Sequence, residues 1–352
     1  MIFKVAVRTA SILFWSVFIM VCLVVPSYLT KNLGQQTINV FTWSNLLDAK
    51  YLRKFQNETG IKVNLNYYES NEELLGKLSA SDTGYDLILP SDYAVDWMIK
   101  RNMLKKLDKT QLHFLDRLDK RLVGNYYDPD NNYSVPYFWG VYGMIINTDF
   151  YKDQKIIPSF KLVFDRQYVP YKVCMPGNAR EVIMMAAFYL FGDIHALLDV
   201  EKRKQVKELL IAQKSWVACY SDERVEYPIT SRVCSAVLAL SPEFWRTNQA
   251  FPRAAFVAPK EGVFAVIDNF VIPKKSEKEH LVYILLNYLY GDECVTHHSE
   301  LFGSCPPVRI ADAEKSESFC SLVKDVDSVI FFDSNKIPDE VFNEIWMELM
   351  AA

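Results

Sequence analysis

An open α/β fold divided into two domains is what this sequence predicts, on three observations. Between Thr37 and Lys100, strand-like runs alternate with helix-like runs, a pattern that calls for right-handed crossovers and a largely parallel sheet. At 352 residues the chain has material for two cores of ordinary size. The third observation is the stretch Tyr85–Trp97, YDLILPSDYAVDW. Leu87, Ile88 and Leu89 form an uninterrupted apolar run of the kind buried on both faces of a sheet, and it stops at Pro90. Ser91 and Asp92 then occupy the place of a helix N-cap ahead of Val95, Met98 and Ile99. Ser91 and Tyr93 therefore stand where a strand tip meets a helix start. In open α/β sheets ligands bind at such tips, because loop backbone and helix N-termini converge there.

Taken in order, Thr37–Thr42 alternates as a strand ending at Trp43-Ser44. Leu47, Tyr51, Leu52 and Phe55 share a helical face, and Gly60 follows where helices use a left-handed residue. Ile61, Val63, Leu65 and Tyr67 alternate as a second strand. Ser70 and Glu73 form a capping box ahead of Leu74, Leu75 and Leu78. Asp128–Asn132 (DPDNN) is a turn cluster, and the aromatic run YSVPYFWGVYGMIIN, with Gly140 and Gly143, suits a strand that leaves one lobe for the other. Val173–Met175 reads as a strand. Asn178 and Glu181 then make an N-x-x-E helix start, which puts Glu181 at another strand-to-helix junction. Residues 200–213 form a charged amphipathic helix, with strands at Trp216–Tyr220 and Val233–Leu240. Val263–Pro273 (VFAVIDNFVIP) is a buried strand with one carboxylate, Asp268, and a lone acid in such a run requires a partner. Helices over Leu281–Leu289 and Val341–Leu349 close the chain. On this reading residues 37–142 with about 268–302 make one lobe, and 143–267 with about 303–352 the other. No large apolar helix face is left over, so a monomer is expected.

Composition narrows the function. Half the residues are hydrophobic and 14% are aromatic, with no low-complexity tract, so the chain is globular throughout. A formal charge of −4 lacks the basic footprint of a nucleic-acid binder. Lys4 and Arg8 precede an apolar run from Ile12 to Val25 and then Pro26-Ser27, so residues 1–27 read as an export signal, cleaved or kept as an anchor. Of seven cysteines, six lie after residue 170. They permit three disulfides, yet their irregular spacing and the chain's size point to buried thiols or one or two bridges.

The segments Trp43-Ser44, YYESNEELLGKL, YDLILPSDY, Asn178-Ala179-Arg180-Glu181, KEGVFAVIDNFVIP and FGSCPP occur in that order between Thr37 and Pro307. With them the chain resembles the periplasmic spermidine/putrescine-binding proteins of polyamine ABC transporters. The resemblance implies a two-lobed type II periplasmic-binding-protein fold that closes on a polyamine in the cleft between the lobes, in the periplasm. It implies a membrane permease and an ATPase as partners, and neither catalysis nor a cofactor. Trp43, Ser91, Tyr93, Glu181 and Asp268 match the family's ligand contacts in type, and Ser44 replaces a threonine while keeping the hydroxyl. Aromatic faces attract ammonium groups and cover methylene stems, and carboxylates pair with the amines. Other positions depart from the pattern. Asn178 replaces an acid, and Leu46, Leu240, Val266 and Ser304 replace cleft aromatics. The resemblance then implies weaker polyamine binding, with Asp92, Glu243 and Trp245 as candidates to compensate.

Two other readings remain. Cys294, His297, His298 and Cys305 are a mixed Cys/His set, but their spacing fits no zinc motif, and a surface histidine pair beside buried thiols is the plainer account. A same-fold receptor for another small cation or ferric iron could start from Tyr93, Glu181 and Asp268, although no tyrosine cluster is visible; a degenerate receptor with an altered ligand is the third variant. There is no G-x-S-x-G motif and no Gly-rich phosphate loop, which argues against hydrolase and nucleotide-binding chemistry.

Overall fold

Strand β1 (Thr37–Trp43) leads into helix α1 (Ala49–Thr59), which begins where the Asp48 carboxylate accepts from the Lys50 amide at 2.8 Å and ends at Gly60, with φ 75°. In this computed structural model the described residues are 36–352 except 45, 81–83, 223, 313, 315–319, 323–328 and 335, together with Trp15, Met20 and Val21. The expected export signal, residues 1–27, falls almost wholly outside them. Among the described residues no helix is long and apolar enough to cross a membrane.

The chain continues through β2 (Lys62–Tyr68), α2 (Asn71–Ala80), β3 (Leu87–Ile88) and α3 (Asp92–Lys100), then short 3₁₀ turns before the long strand β4 (Ser134–Asn147). Next come α4 (Lys161–Phe164), β5 (Val173–Met175), α5 (Ala179–Phe191), α6 (Val200–Gln213), β6 (Val217–Tyr220), α7 (Glu226–Thr230), β7 (Ala236–Leu240), α8 (Ser241–Ala250) and β8 (Ala254–Val257). The remainder is β9 (Val263–Val271), α9 (Glu279–Leu289), α10 (Asp292–Phe302), β10 (Val329–Phe331) and α11 (Asp339–Ala351). The capping box of α2 forms with a one-residue shift. Ser70 Oγ accepts from the Glu73 amide at 3.1 Å, while Glu73 reaches back to the Glu69 amide at 2.8 Å.

Two expectations from spacing are corrected. On β2 the buried aromatic is Tyr68, and Tyr67 is half exposed. β2 is an edge strand, so its faces do not enforce strict alternation. Tyr68 is instead drawn inward by Phe41 and Trp43, at ring distances of 4.9 and 4.6 Å, and by its own hydroxyl, which donates to the Leu89 carbonyl at 2.6 Å. The histidine pair is likewise only half a surface feature. His298 is buried against the Tyr137 hydroxyl, and His297 bonds to Asp48 Oδ2 at 2.7 Å. Cys305 is disulfide-bonded to Cys320.

Across the sheet the strands run β2-β1-β3-β9-β4-β7-β5-β6, with β10 beside β9 and β8 beside β4. β4 is the crossing. Its first part, Ser134–Val141, pairs antiparallel with β9, and Tyr142–Ile146 pairs with β7. Two large cores flank it. One gathers Ile38, Phe55, Leu89, Phe270, Leu285 and Tyr290; the other gathers Ile146, Met175, Ile183, Leu210, Leu238 and Phe342. After α10 the chain stays with the first core through Val308 and Ile310, because Leu118 bridges Val308 and the Asp119 amide donates to the Pro307 carbonyl at 2.9 Å. The return to the second core, by β10 and α11, therefore comes later than the expected residue 303.

Candidate functional site

The short strand β3 delivers Ser91, Asp92 and Tyr93 to the seam between the two cores. Its exit is pinned: the Leu89 amide donates to the Phe41 carbonyl at 3.0 Å, the Asn269 amide to the Pro90 carbonyl at 2.8 Å, and Ser91 forms an isolated bridge with Asp268 of β9. Ser91 has the extended backbone of an N-cap, with φ −75° and ψ 165°, yet its hydroxyl does not cap α3. It accepts instead from the Asn71 side-chain amide, and Asp92 Oδ1 takes the Tyr93 amide at 2.8 Å. Tyr93 donates its hydroxyl to Glu72 at 3.0 Å.

The facing wall is the start of α5. Asn178 caps it, its side-chain oxygen accepting from the Arg180 and Glu181 amides at 3.0 and 3.4 Å. Glu181 is free of capping duty and accepts from the Tyr142 hydroxyl, which β4 supplies just past its crossing point. Ser91, Asp92 and Tyr93 on one side and Asn178, Arg180, Glu181 and Met184 on the other face each other across a narrow cleft. Val266 of β9 floors it, and Phe332 and Ser334, which follow β10, close it.

Electrostatics set this cleft apart. Burial pushes Asp92 up to about 7, with Asp96 adding to the effect and the Tyr93 amide opposing it. Burial raises Glu181 to about 8, reinforced by Asp222 and, among others, Asp92. Asp268 rises to about 8, again through burial first and Asp92 second, while the Trp43 indole pulls it down. Each carboxylate thus feels a neighbour that discourages ionisation, and Asp92 acts on both of the others. The one cation of the lining, Arg180, is turned toward Asp339 at 2.8 Å and lies over the Phe342 ring. Such a site is short of positive charge, and its chemistry can accommodate a cation with a gain that an exposed carboxylate cluster lacks. Among the described residues no group of three or more His, Cys, Asp or Glu is arranged to hold a metal ion.

Of the residues singled out by sequence, Ser91, Tyr93, Asn178 and Glu181 share this cleft. Trp43 and Asp268 are bonded to each other at 3.1 Å and stand immediately behind Ser91. Ser44 is exposed on the turn after β1 and Ser304 is buried beyond α10, and neither lines the cleft. Of the three candidates to compensate, only Asp92 lines it; Glu243 pairs with Arg246, and Trp245 packs against Gly303. Tyr142, Phe332 and Ser334 escaped the sequence reading. Tyr142 was hidden in an aromatic run, and the other two reach the cleft only through the late return of the chain.

The sequence matches the family described as bacterial extracellular solute-binding proteins over residues 50–319. It is 30% identical over 272 residues to the spermidine/putrescine-binding periplasmic protein of Salmonella typhimurium, covering 77% of each chain. It is 28% identical over 282 residues to a putrescine-binding periplasmic protein of Pseudomonas aeruginosa, covering 76% of this chain and 77% of that one. Among solved structures, the spermidine/putrescine ABC transporter substrate-binding protein of Streptococcus pneumoniae superposes with a TM-score of 0.76 at 20% identity, over 90% of this chain and 99% of the other. The apo ferric ion-binding protein A of Pasteurella haemolytica has the same two-lobed fold, with a TM-score of 0.66 at 17% identity, over 90% and 98% of the two chains.

Proposed function

The chain belongs to the bacterial extracellular solute-binding proteins, and from that premise we propose that it captures a polyamine between its two lobes, outside the cytoplasm, and hands it unchanged to the permease and ATPase of an ABC transporter. The two cores on either side of β4 are the lobes. The observation that carries the reading is the set Asp92, Glu181 and Asp268, three carboxylates in or beside one cleft, each raised toward neutrality when no cation is present. A polyamine brings two or more ammonium groups on an apolar stem, and meets carboxylates for the charges and aromatic faces for the stem. Trp43, Tyr93 and Phe332 supply those faces, Ser91 and Ser334 supply hydroxyls, and Asn178 holds α5 in place. Relatives named for spermidine and putrescine support the ligand class.

Asp92 takes the part of the acid that Asn178 lacks. It lines the same cleft, only 2% exposed, and its Oδ2 has no hydrogen-bond partner among the described residues. An unpartnered buried carboxylate oxygen is costly unless something arrives to meet it. Titration calorimetry with spermidine, putrescine and Fe(III) tests the function. Saturable binding of a polyamine at one site per chain is the expected result. Heat from iron alone sinks the polyamine reading and revives the ferric one.

A further inference from the structure

We propose that Cys174 and Cys219 form a second disulfide, which staples β5 to β6 directly beneath the cleft wall, with Cys234 left as a free thiol. The register of the two strands is the first argument. β5 and β6 run parallel, and Val173 pairs with Val217; the register then shifts, so that Cys174 faces Cys219 and not Ala218. A bulge of this kind re-aims a side chain, and here it brings two cysteines opposite one another on neighbouring strands. Neighbouring strands lie within the Cα separation that a disulfide spans. The two sulfurs are 2.6 Å apart, inside the contact distance of unbonded sulfur atoms.

Cys234 is the competing thiol. β5 lies between β6 and β7, and Cys234 sits just ahead of β7, in the same cluster as Cys174 and Cys219. Cys174 therefore has a thiol on each side: Cys234 hydrogen-bonds to it, but Cys219 stands opposite it across the strand pair with the two sulfurs only 2.6 Å apart. In the reduced pair the Cys219 thiol donates to Cys174, yet Cys234 and burial push Cys174 up to about 12; Cys174 and burial push Cys219 upward too. Few thiolates exist once this lobe is packed, so the bond belongs to the folding chain and is slow to exchange afterwards. The chemistry needs a disulfide-bearing oxidant. The Cys219 thiolate attacks one of its sulfurs and expels a thiolate; the Cys174 thiolate then attacks Cys219 Sγ and expels the second. Two protons leave the protein thiols, and the oxidant ends as a dithiol. The chain already carries one disulfide, Cys305–Cys320.

The placement has a function. Three residues after Met175 comes Asn178, and β6 runs on to Asp222, whose Oδ2 accepts from the Gly177 amide at 3.1 Å. The staple therefore fixes the base of the two loops that set the α5 wall, closing a span of 45 residues. The test is peptide mapping of the full chain, exported to a bacterial periplasm, purified without reductant and alkylated with N-ethylmaleimide while denatured. The expected map joins the Cys174 and Cys219 peptides and shows Cys234 and Cys294 alkylated. The Cys234→Ser protein gives the same joined pair. Full alkylation of Cys174 and Cys219, or a Cys174–Cys234 bridge, overturns the proposal.

Discussion

Trp43 and Asp268 lie 225 residues apart in sequence, yet the Trp43 indole donates to Asp268 Oδ1 at 3.1 Å. On the proposed function one group is the aromatic that meets the ligand and the other the charge that binds it, and the bond between them orients both. Asp268→Asn keeps the shape and can keep the indole bond, but removes the charge. Spermidine affinity is expected to fall about tenfold or more, since a charge-assisted hydrogen bond is worth roughly 1.5–3 kcal/mol. The unliganded variant is expected to unfold at a higher temperature than the parent near pH 8, because no carboxylate must then ionise in a buried place. A loss of both affinity and stability would falsify the assignment of Asp268 as a ligand charge.

The three raised carboxylates make binding depend on pH. Their folded-state values of about 7, 8 and 8 lie above the ordinary 3.8 for Asp and 4.5 for Glu. Through that window the empty folded protein holds protons that the unfolded chain has released. Its stability is therefore greatest at the acid end and declines as pH rises toward 8. A polyamine needs the same groups ionised, so its affinity moves the other way and rises from about pH 5 to 8. Melting curves with and without spermidine across that range check both signs, and a pH-independent thermal shift contradicts the scheme.

Asp92 and Asn178 predict a pattern of mutual rescue. Asp92→Asn weakens spermidine binding by about tenfold or more. Asn178→Asp preserves the helix cap, because aspartate serves at an N-cap as well as asparagine. It is expected to gain less than tenfold alone, and more in the Asp92→Asn background. Equal gains in both backgrounds, measured by calorimetry as a double-mutant cycle, mean that the two positions serve different amines.

Gly143 sits in β4 where the strand passes between the cores, and an added Cβ would lie 2.4 Å from the Phe256 ring. The neighbour is an aromatic ring on a paired strand, which has little freedom to move. Gly143→Ala is expected to cost about 1–3 kcal/mol in denaturant unfolding. An unchanged midpoint means that the ring can step aside.

Much of this was legible because local signals and tertiary demands agree. The run Leu87–Leu89 and the stop at Pro90 placed the cleft, and Asn178 and Gly60 marked helix ends through caps that need no partner elsewhere in the chain. Tyr67 and Tyr68 show where periodicity fails: on an edge strand with two half-exposed faces, the contact with Trp43 and not the period decides which tyrosine turns in. Ser91 was placed correctly at the helix start, but its hydroxyl is claimed by Asn71, a tertiary contact with no local signature. Phe332 and Ser334 illustrate the same limit at longer range.

The way the cleft draws on the chain, from Ser91 through Glu181 to Ser334, also bears on how such a protein is made. Synthesis proceeds from the N-terminus, and domains fold as they emerge. The first wall can take shape early, but the pocket exists only once residue 334 has been delivered and has turned back onto β9. On the proposed function, a polyamine outside the cytoplasm can therefore reward only the finished molecule.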